Sequence, residues 1–206
     1  MEYIIFDTET TGFQTKDEVI QFAGFLVDDN CKLLRLYSFY CYPLIEIPDD
    51  AIKVHHLTKS ILMKLSDGRF FEEQFFEYDD LLSKKDLTWV GYNVDYDKRM
   101  INQTLKNNGY TPYKFGNKVA GLYDDIGVHS FDVMSAIADR YNHGKWEKLA
   151  TCVRKYCSLS LEQINKEYEC ISKYCGMQTE FAFHNAIYDA FTTYCLFKDM
   201  YPLTRM

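Results

Sequence analysis

Residues 3–12, Tyr-Ile-Ile-Phe-Asp-Thr-Glu-Thr-Thr-Gly, join an apolar run to a polar one. The first four are β-branched or aromatic, which is typical of a buried strand. The polar and turn-forming residues from Asp7 onward predict that this strand ends there. Asp7 and Glu9 are two positions apart, so on a strand their side chains point to the same face. We therefore expect two carboxylates next to each other at a strand end.

Two more strands follow this segment. Residues 19–27 and 33–42 are rich in apolar, β-branched and aromatic side chains, and Asp28-Asp29-Asn30 between them is a hairpin signal. The partial alternation of residues 33–42 is expected of a strand with one solvated face. Residues 43–50 are predicted to form a loop, and Thr58 is a candidate cap for a short helix.

The rest of the chain alternates between helical and strand patterns. The predicted helices cover residues 71–82, 95–107, 132–141, 146–157 and 185–198, and the predicted strands cover residues 87–92 and 128–131. Three strands that can pair as an antiparallel meander, followed by alternating helices and strands, predict an α/β fold. We expect a mixed five-stranded sheet, with the parallel strands after the meander and helices on its faces.

The composition indicates one globular domain over residues 1–206. The chain is 47% hydrophobic and 26% charged, and its formal net charge is −7. No apolar run approaches the length of about 18 residues that spans a membrane, and no secretory signal is visible. Seven cysteines in an unsignalled chain indicate reduced thiols and a cytoplasmic location. The acidity argues against a broad grip on a nucleic-acid backbone.

Two further groups of polar residues lie where predicted helices begin. Asn93 and Asp97 are four apart and would share one helix face, although an ordinary helix cap is the alternative. His184 and Asp189 are five apart, which on a continuous helix would separate them by about 140°. They can face one site only if His184 lies on a loop before the helix. The alternative is a surface histidine beside a helical aspartate.

The sequence thus offers four carboxylates and one histidine at strand ends and helix starts, which can all meet at one end of one sheet. Oxygen ligands favour Mg²⁺ or Mn²⁺ over zinc. Two such cations roughly 4 Å apart are the usual device for phosphodiester cleavage. A neutral imidazole nearby can accept the proton of the attacking water. These residues therefore indicate metal-dependent phosphodiester chemistry.

Three segments, residues 7–12, 93–97 and 184–190, resemble in order the three exonuclease motifs of the DnaQ-like DEDDh family. That family comprises 3′-5′ exonucleases with a ribonuclease H-like fold, and it includes RNase T, oligoribonuclease and the proofreading subunit of bacterial DNA polymerase III. Residues 54–58 are similar to a further family segment, with His56 where glycine is usual. The resemblance extends from residue 3 to about residue 200, and it implies a ribonuclease H-like mixed sheet.

The resemblance also implies a role for each matched residue. Two Mg²⁺ ions, for which Mn²⁺ could substitute, would be held by Asp7, Glu9, Asp97 and Asp189, and the general base would be His184. The implied substrate-binding positions are Thr10, Gly12, Phe13, His55, Leu57 and Asn93. The aromatic and apolar members of this set would lie around the 3′-terminal nucleotide, where they can stack on any base.

Two departures from the family pattern bear on these roles. Tyr92 stands where the family commonly has histidine, directly before the asparagine of the second motif. A sister subfamily replaces the catalytic histidine by a tyrosine four residues before the last aspartate. That position here is Asn185, so Tyr188 does not qualify and the histidine assignment is retained.

We therefore expect a metal-dependent 3′-5′ exonuclease that acts on single-stranded nucleic acid, with DNA 3′ ends favoured, and releases nucleoside 5′-monophosphates. Its setting would be proofreading or end trimming, with a polymerase or another nucleic-acid-processing complex as partner. The first alternative is an RNA-directed exoribonuclease of the RNase T or oligoribonuclease type. The second is a nucleic-acid-binding or assembly module with an idle site. Residues 109–127 and 158–181 are expected to be elaborations of the single domain.

Two patterns are left with two interpretations each. One is a near-repeat of cysteines, which forms either reduced thiols or a structural zinc site and consists of Cys152, Cys157, Cys170 and Cys175. The other is a basic stretch, which is either a solvated helix face or a phosphate-contacting rim and consists of Lys145, Lys148, Arg154 and Lys155.

Overall fold

The computed structural model describes residues 1–82, 84, 86–113, 130–175 and 183–201. Its centre is one five-stranded sheet of order β3-β2-β1-β4-β5. The strands are β1 (Glu2–Thr10), β2 (Val19–Val27), β3 (Leu33–Tyr40), β4 (Leu87–Gly91) and β5 (Ser130–Asp132). Strands β1 to β3 pair antiparallel, whereas β4 is parallel to β1 and β5 is parallel to β4. The predicted mixed sheet with a three-stranded meander is confirmed.

Helices flank this sheet and connect its later strands. They are α1 (Asp49–His55), α2 (Lys59–Leu65), α3 (Phe71–Phe75), α4 (Asp79–Leu82), α5 (Val94–Asn107), α6 (Val133–Tyr141), α7 (Leu149–Tyr156), α8 (Leu161–Tyr174) and α9 (Ala186–Met200). As predicted, the Thr58 hydroxyl caps a short helix by accepting a hydrogen bond from the Ile61 N–H at 3.2 Å. In the described part of the chain, no helix is long and apolar enough to cross a membrane.

The two faces of the sheet pack against different helices because neighbouring residues of a strand point in opposite directions. Ile5 of β1 contributes to the cluster that includes α9, whereas Ile4 and Phe6 contribute to the cluster that includes α3 and α5. Every residue of β2 is buried, as expected of a strand covered on both faces. The two helices that carry the candidate aspartates, α5 and α9, therefore approach the sheet from opposite sides.

The parallel strands bring their carboxyl ends to the same edge of the sheet. β1 ends at Thr10, β4 at Gly91 and β5 at Asp132, and α5 begins a few residues after β4 at this edge. The hairpin at residues 28–32 lies at the opposite edge, because Tyr3 at the start of β1 pairs with Val27. Ligand sites of open α/β sheets form at the carboxyl edge.

Three local predictions need correction. β1 extends through Thr10, because the ladder to β2 continues with Asp7 opposite Ala23 and Glu9 opposite Gln21 before a register shift. Residues 43–50 are not all loop, since α1 begins at Asp49 after Pro48. The single helix predicted at 71–82 is split by a 3₁₀ turn, Phe76–Tyr78.

The two proposed elaborations are partly outside the described residues. Within 158–181, residues 161–174 form α8, capped by a reciprocal pair of hydrogen bonds between Ser160 and Gln163. Residues 176–182 lie outside the described part, as do residues 114–129, which include most of the segment 109–127 and the first two residues of the strand predicted at 128–131.

The four cysteines considered as zinc ligands are all described. Cys152 is buried, Cys157 is partly buried, and Cys170 and Cys175 are exposed on or next to α8. Among the described residues they are not part of any group of three or more potential metal ligands. This arrangement favours reduced thiols over the zinc interpretation.

Candidate active site

Three carboxylates meet at the carboxyl edge of the sheet. Asp7 and Glu9 extend from the same face of β1, and Asp189 extends from the first turn of α9. One ligand oxygen of each lies within 4.8 Å of the others, and Glu9 and Asp189 are buried. The spacing of the first motif and the short chain segment before α9 thus place three predicted acids together.

Asp97, the fourth acid, is held against β1 by Thr8, the residue between Asp7 and Glu9. The Thr8 hydroxyl donates to Oδ1 of Asp97 at 2.6 Å, and the Thr8 N–H donates to the same oxygen at 3.1 Å. Asp97 lies in the first turn of α5 and is 2% exposed. Because Thr8 points to the opposite face of the strand from Asp7 and Glu9, it can reach a helix that packs on that face.

The four acids have raised pKa values. Burial is the main cause for Asp7 and Glu9, and repulsion by the neighbouring carboxylates adds to it. Burial also raises the pKa of Asp97 and of Asp189 to about 7, although hydrogen bonds from Thr8 and His184 act in the opposite direction. In the absence of cations, the cluster is therefore electrostatically unfavourable in its ionised form.

The donor set fits a hard divalent cation. All candidate ligand atoms are carboxylate oxygens, which suit Mg²⁺ or Mn²⁺. Within the described part of the chain, Oδ1 of Asp189 is buried without a hydrogen-bond partner, whereas Oδ2 accepts the His184 N–H at 2.9 Å. A buried carboxylate oxygen without a partner is costly unless it binds something, and a cation would satisfy it.

His184 lies before α9, the position that is required if His184 and Asp189 are to face one site. The residue has φ 69°, and its backbone N–H turns toward Asp189. Asn185 caps α9 by accepting the Ile187 N–H at 3.1 Å. The buried Gln21 of β2 braces this start, because its Oε1 accepts the Ala186 N–H at 3.2 Å. The backbone of His184 and the Asp189 carboxylate are thereby fixed next to each other at the start of α9.

His184 is exposed as a residue, but its imidazole is partly shielded from water, and this desolvation lowers its pKa. The nearby charges of Lys148 and His56 lower the pKa further. A histidine with a lowered pKa is neutral at pH 7 and can accept a proton. The protonation state of His184 is therefore compatible with a general base at this position.

A cleft of about 330 Å³ opens beside Glu9. Its lining includes Thr10, Gly12, the 76% exposed Phe13 and the buried His55. The lowered pKa of His55, about 4, results mainly from burial and keeps the ring neutral. Its Nδ1 accepts the Leu57 N–H at 3.0 Å, so the ring proton is on Nε2, which is buried and has no partner among the described residues. The cleft thus combines an exposed aromatic face with a buried donor beside it.

The loop that carries Phe13 is held by side chains that the motif alone did not indicate. The Gly12 carbonyl accepts from the Thr10 hydroxyl at 2.8 Å and lies 3.2 Å from the Tyr96 hydroxyl. Asp17 accepts hydrogen bonds from Thr11 and Gln14 within the same loop. A Cβ at Gly12 would lie 2.6 Å from an Asp17 oxygen, at φ 156°, so the turn requires glycine.

Two predicted substrate-binding residues have other surroundings. Leu57 does not line the cleft, because it packs in a small core with Ile20, Ile47 and Leu62. Asn93 is exposed in the left-handed conformation with φ 69°, and its side chain makes no capping hydrogen bond. Its backbone N–H donates to Oδ1 of Asp132 at 3.0 Å, which fixes the turn between β4 and α5.

A mixed five-stranded sheet with acids at the carboxyl edge of its parallel strands defines the ribonuclease H-like class of folds. Residues 4–197 match the profile of the family described as RNase_T, exonuclease. Because the match covers nearly the whole sequence, the chain belongs to the DnaQ-like exonuclease family. The family resemblance deduced from the three motifs is confirmed.

Relatives with curated descriptions include much longer polymerases. DNA polymerase III PolC-type from Staphylococcus haemolyticus is 26% identical over 125 residues, which are 60% of this chain and 8% of the polymerase. The PolC-type enzyme of Ureaplasma parvum is 27% identical over 114 residues, or 54% of this chain and 8% of that one. The matched residues therefore make up less than a tenth of the length of these relatives.

Solved structures similar to this chain include exonuclease I. The E. coli enzyme with a 5cy-dT13 oligonucleotide superposes with a TM-score of 0.64 and 18% identity, covering 100% of this chain and 40% of that one. A zinc-bound form of the E. coli enzyme with single-stranded DNA gives a TM-score of 0.62 at 16% identity, and the match covers 100% of this chain and 41% of that one. Exonuclease I from Methylocaldum szegediense gives a TM-score of 0.63 at 18% identity, and the match covers 97% of this chain and 40% of that one. These likenesses confirm the predicted fold.

Proposed function

We propose that the protein is a 3′-5′ exonuclease of the DEDDh type that hydrolyses the terminal phosphodiester of single-stranded nucleic acid, with DNA favoured, and releases nucleoside 5′-monophosphates. The observation that carries this proposal is the meeting of Asp7, Glu9 and Asp189 within 4.8 Å, beside Asp97 and an open cleft. DNA as substrate is supported by the exonuclease I structures, which are described with DNA oligonucleotides.

The four acids would hold two Mg²⁺ ions, with Mn²⁺ able to substitute, and these would supply Lewis-acid activation of water and stabilisation of the leaving oxygen. His184, neutral because its pKa is lowered, would accept the proton of the attacking water on an imidazole nitrogen. The hydrogen bond from its backbone N–H to Asp189 keeps base and carboxylate in a fixed relation.

The cleft would take the 3′-terminal nucleotide. Phe13 offers an exposed ring on which any base can stack, in keeping with sequence-tolerant binding. The Nε2–H of His55, which is buried and has no partner among the described residues, would donate to a sugar or phosphate oxygen. Both residues line the same cleft as Glu9, so a nucleotide held there has its phosphate next to the acids.

A single domain of this kind suits proofreading or end trimming together with a polymerase or another nucleic-acid-processing complex. The support is the similarity to a part of PolC-type polymerases, of which the matched residues cover 8%. In this proposal the chain supplies the hydrolytic site, and the partner delivers the strand end.

The proposal is tested with matched single-stranded DNA and RNA oligonucleotides carrying a label at either end. In Mg²⁺ or Mn²⁺ we expect a 3′ label to be released at once as mononucleotide, while a 5′ label moves through progressively shorter strands. Faster turnover of RNA would replace the DNA preference by the exoribonuclease alternative. Binding without shortening in either metal would show an idle site.

Thr8 is expected to support catalysis by orienting Asp97. Thr8→Val removes the hydroxyl that donates at 2.6 Å but keeps the side-chain shape, whereas Thr8→Ser keeps the hydroxyl. Loss of a hydrogen bond to a metal-binding carboxylate costs about 10- to 100-fold in metal affinity or activity. We expect such a loss in Thr8→Val, measured as Mn²⁺ affinity by calorimetry and as exonuclease rate. Equal behaviour of the valine and serine variants would contradict this role.

A further inference from the structure

The segment between α6 and α7 carries an exposed aromatic ring and two free cations at the active-site edge. Trp146 is 69% exposed and has no ring contact among the described residues. Lys145 and Lys148 are exposed as well and make no ion pair within the described part of the chain. We call Lys145, Trp146 and Lys148 the basic aromatic rim.

This rim is tied to the carboxyl edge of the sheet by Tyr92. That residue directly follows β4, and its hydroxyl donates to the Glu147 carbonyl at 2.5 Å. The same hydroxyl lies 3.0 Å from the Cys152 sulfur of α7. Tyr92 thus attaches the backbone between Trp146 and Lys148 to the turn that precedes α5. This attachment is made by the tyrosine that stands where the family commonly has histidine.

The other two members of the basic stretch differ from the rim. Lys155 forms an ion pair with Glu147 at 2.5 Å, and Glu147 also accepts from the Tyr156 hydroxyl at 3.1 Å. These contacts neutralise Lys155 and lock α7 to the segment before it. Arg154 is exposed in the last turn of α7 and is an electrostatic neighbour of Tyr188, the residue before Asp189. Unlike Lys145 and Lys148, it lies within the helix and not in the segment that carries Trp146.

The rim lies next to the start of α9. α7 begins directly after Lys148 and packs against α9, which begins two residues after His184. Lys148 is accordingly one of the charges that lower the pKa of His184. A strand whose last nucleotide occupies the cleft would place the cleaved phosphate beside His184 and would continue toward the rim.

We propose that the basic aromatic rim binds the single strand on the 5′ side of the cleaved linkage, with a base stacked on Trp146 and a phosphate at Lys148. This inference deepens the proposed function and rests on it. An exposed indole with neighbouring ammonium groups is the chemistry that captures single strands without regard to sequence. In an acidic chain, such a local patch restricts capture to a strand already directed into the site.

The chain contains its own reporter for this contact. Of its two tryptophans, Trp89 is 1% exposed inside the core, whereas Trp146 is accessible. We expect a ten-nucleotide oligothymidylate, added in Ca²⁺ to the full chain, to quench the fluorescence of Trp146. Trp146→Phe removes that signal but keeps a ring, so anisotropy of a labelled strand should show nearly unchanged affinity.

Trp146→Ala is expected to weaken binding of the ten-nucleotide strand by about tenfold or more, the usual effect of losing one stacked base. Thymidine 5′-monophosphate should lose less, because it occupies only the cleft and does not extend to the rim. Lys148→Ala should lower the salt slope of log affinity by about 0.7, the value of one phosphate contact on a single strand. Lys32→Ala, in the hairpin at the opposite edge, should change neither quantity.

The proposed role of the rim would be overturned if Trp146→Ala weakened binding of the short ligand and of the ten-nucleotide strand equally, or weakened the binding of neither. Absence of quenching in the wild-type chain would do the same. Failure of the proposed function is a separate result, since strands would then bind and quench without any shortening in Mg²⁺ or Mn²⁺. Thermal unfolding of each variant checks its fold independently.

Discussion

We expect Asp97→Asn to reduce exonuclease turnover by at least about 10³-fold, because a cation site supplies several kcal/mol of charge stabilisation and each factor of ten corresponds to about 1.4 kcal/mol. Asparagine keeps the shape of the side chain and an oxygen that can accept both hydrogen bonds from Thr8. The substitution therefore removes the charge and leaves the packing of α5 on β1 intact. Single-turnover hydrolysis of a 3′-labelled strand measures the loss.

The same substitution is expected to stabilise the cation-free protein. The pKa of Asp97 is raised to about 7 by burial, so at pH 8 the folded state carries a buried charge that the unfolded state would solvate. Neutralising it should increase the free energy of unfolding by a few kcal/mol. Activity and stability would then move in opposite directions, as is typical of functional sites that retain unfavourable charges.

Asp95→Asn is the matched control for both effects. Asp95 lies in the same first turn of α5, but its side chain is 83% exposed and interacts with Lys98 on the surface. We expect its turnover and unfolding midpoint to stay close to those of the wild type. A tenfold or smaller loss in Asp97→Asn, or an equal loss in both variants, would contradict a ligand role for Asp97.

The parts of this site that the sequence predicts are those governed by local periodicity. Two residues two apart on a strand must share a face, so the pairing of Asp7 with Glu9 follows from their spacing alone. The loop position of His184 follows similarly, since a helix running through it would have separated it from Asp189.

The contacts that the sequence did not predict join distant segments. Thr8 and Asp97 are 89 positions apart, and their hydrogen bond depends on how closely α5 approaches β1. Gln21 supports the start of α9 over a separation of 165. Side-chain type gives no signal for such pairs, because a threonine or glutamine inside a strand is ordinary. Their partners are determined by helix placement, which hydrophobic patterning leaves open.

The meaning of the basic stretch also depended on tertiary structure. Four cations within eleven positions look alike in sequence, whereas the fold divides them by their partners. Lys155 is paired with Glu147, and Lys148 lies beside His184 without such a partner among the described residues. Burial and pairing, rather than charge count, separate a structural cation from one available to a ligand.

The cation-free protein is expected to lose stability as the pH rises from 6.5 to 8. Asp97 and Asp189 have folded pKa values of about 7, above the ordinary value of 3.8, so in this range the folded state holds more protons than the unfolded state. The free energy of unfolding must then fall with rising pH. The two groups together should account for about 1.5 kcal/mol, or roughly 5 °C in the midpoint. The raised pKa values of Asp7 and Glu9 add to the same trend.

In the window from pH 6.5 to 8 the carboxyl groups outweigh the histidines. His55 and His184 have lowered pKa values, so their effect runs the other way, and stability rises as the histidines of the unfolded state lose their protons around the ordinary pKa of 6.5. Over this window each histidine offsets roughly 0.4 kcal/mol of the loss, which still leaves a net fall in stability from the acids. A midpoint that stays constant or rises over this window in EDTA would contradict the acidic cluster as the cause.

Added cations should reverse the loss, and the pH dependence identifies where they bind. A cation that binds only the folded state at about 100 times its dissociation constant adds about 2.7 kcal/mol. Because cations compete with protons for the same carboxylate oxygens, the gain in midpoint from Mn²⁺ should be larger at pH 8 than at pH 6.5. Asp97→Asn should show both a shallower pH slope in EDTA and a smaller gain from Mn²⁺, whereas Asp95→Asn should retain both. A metal effect of equal size in the two variants would place the binding outside the cluster, since only Asp97 is part of it.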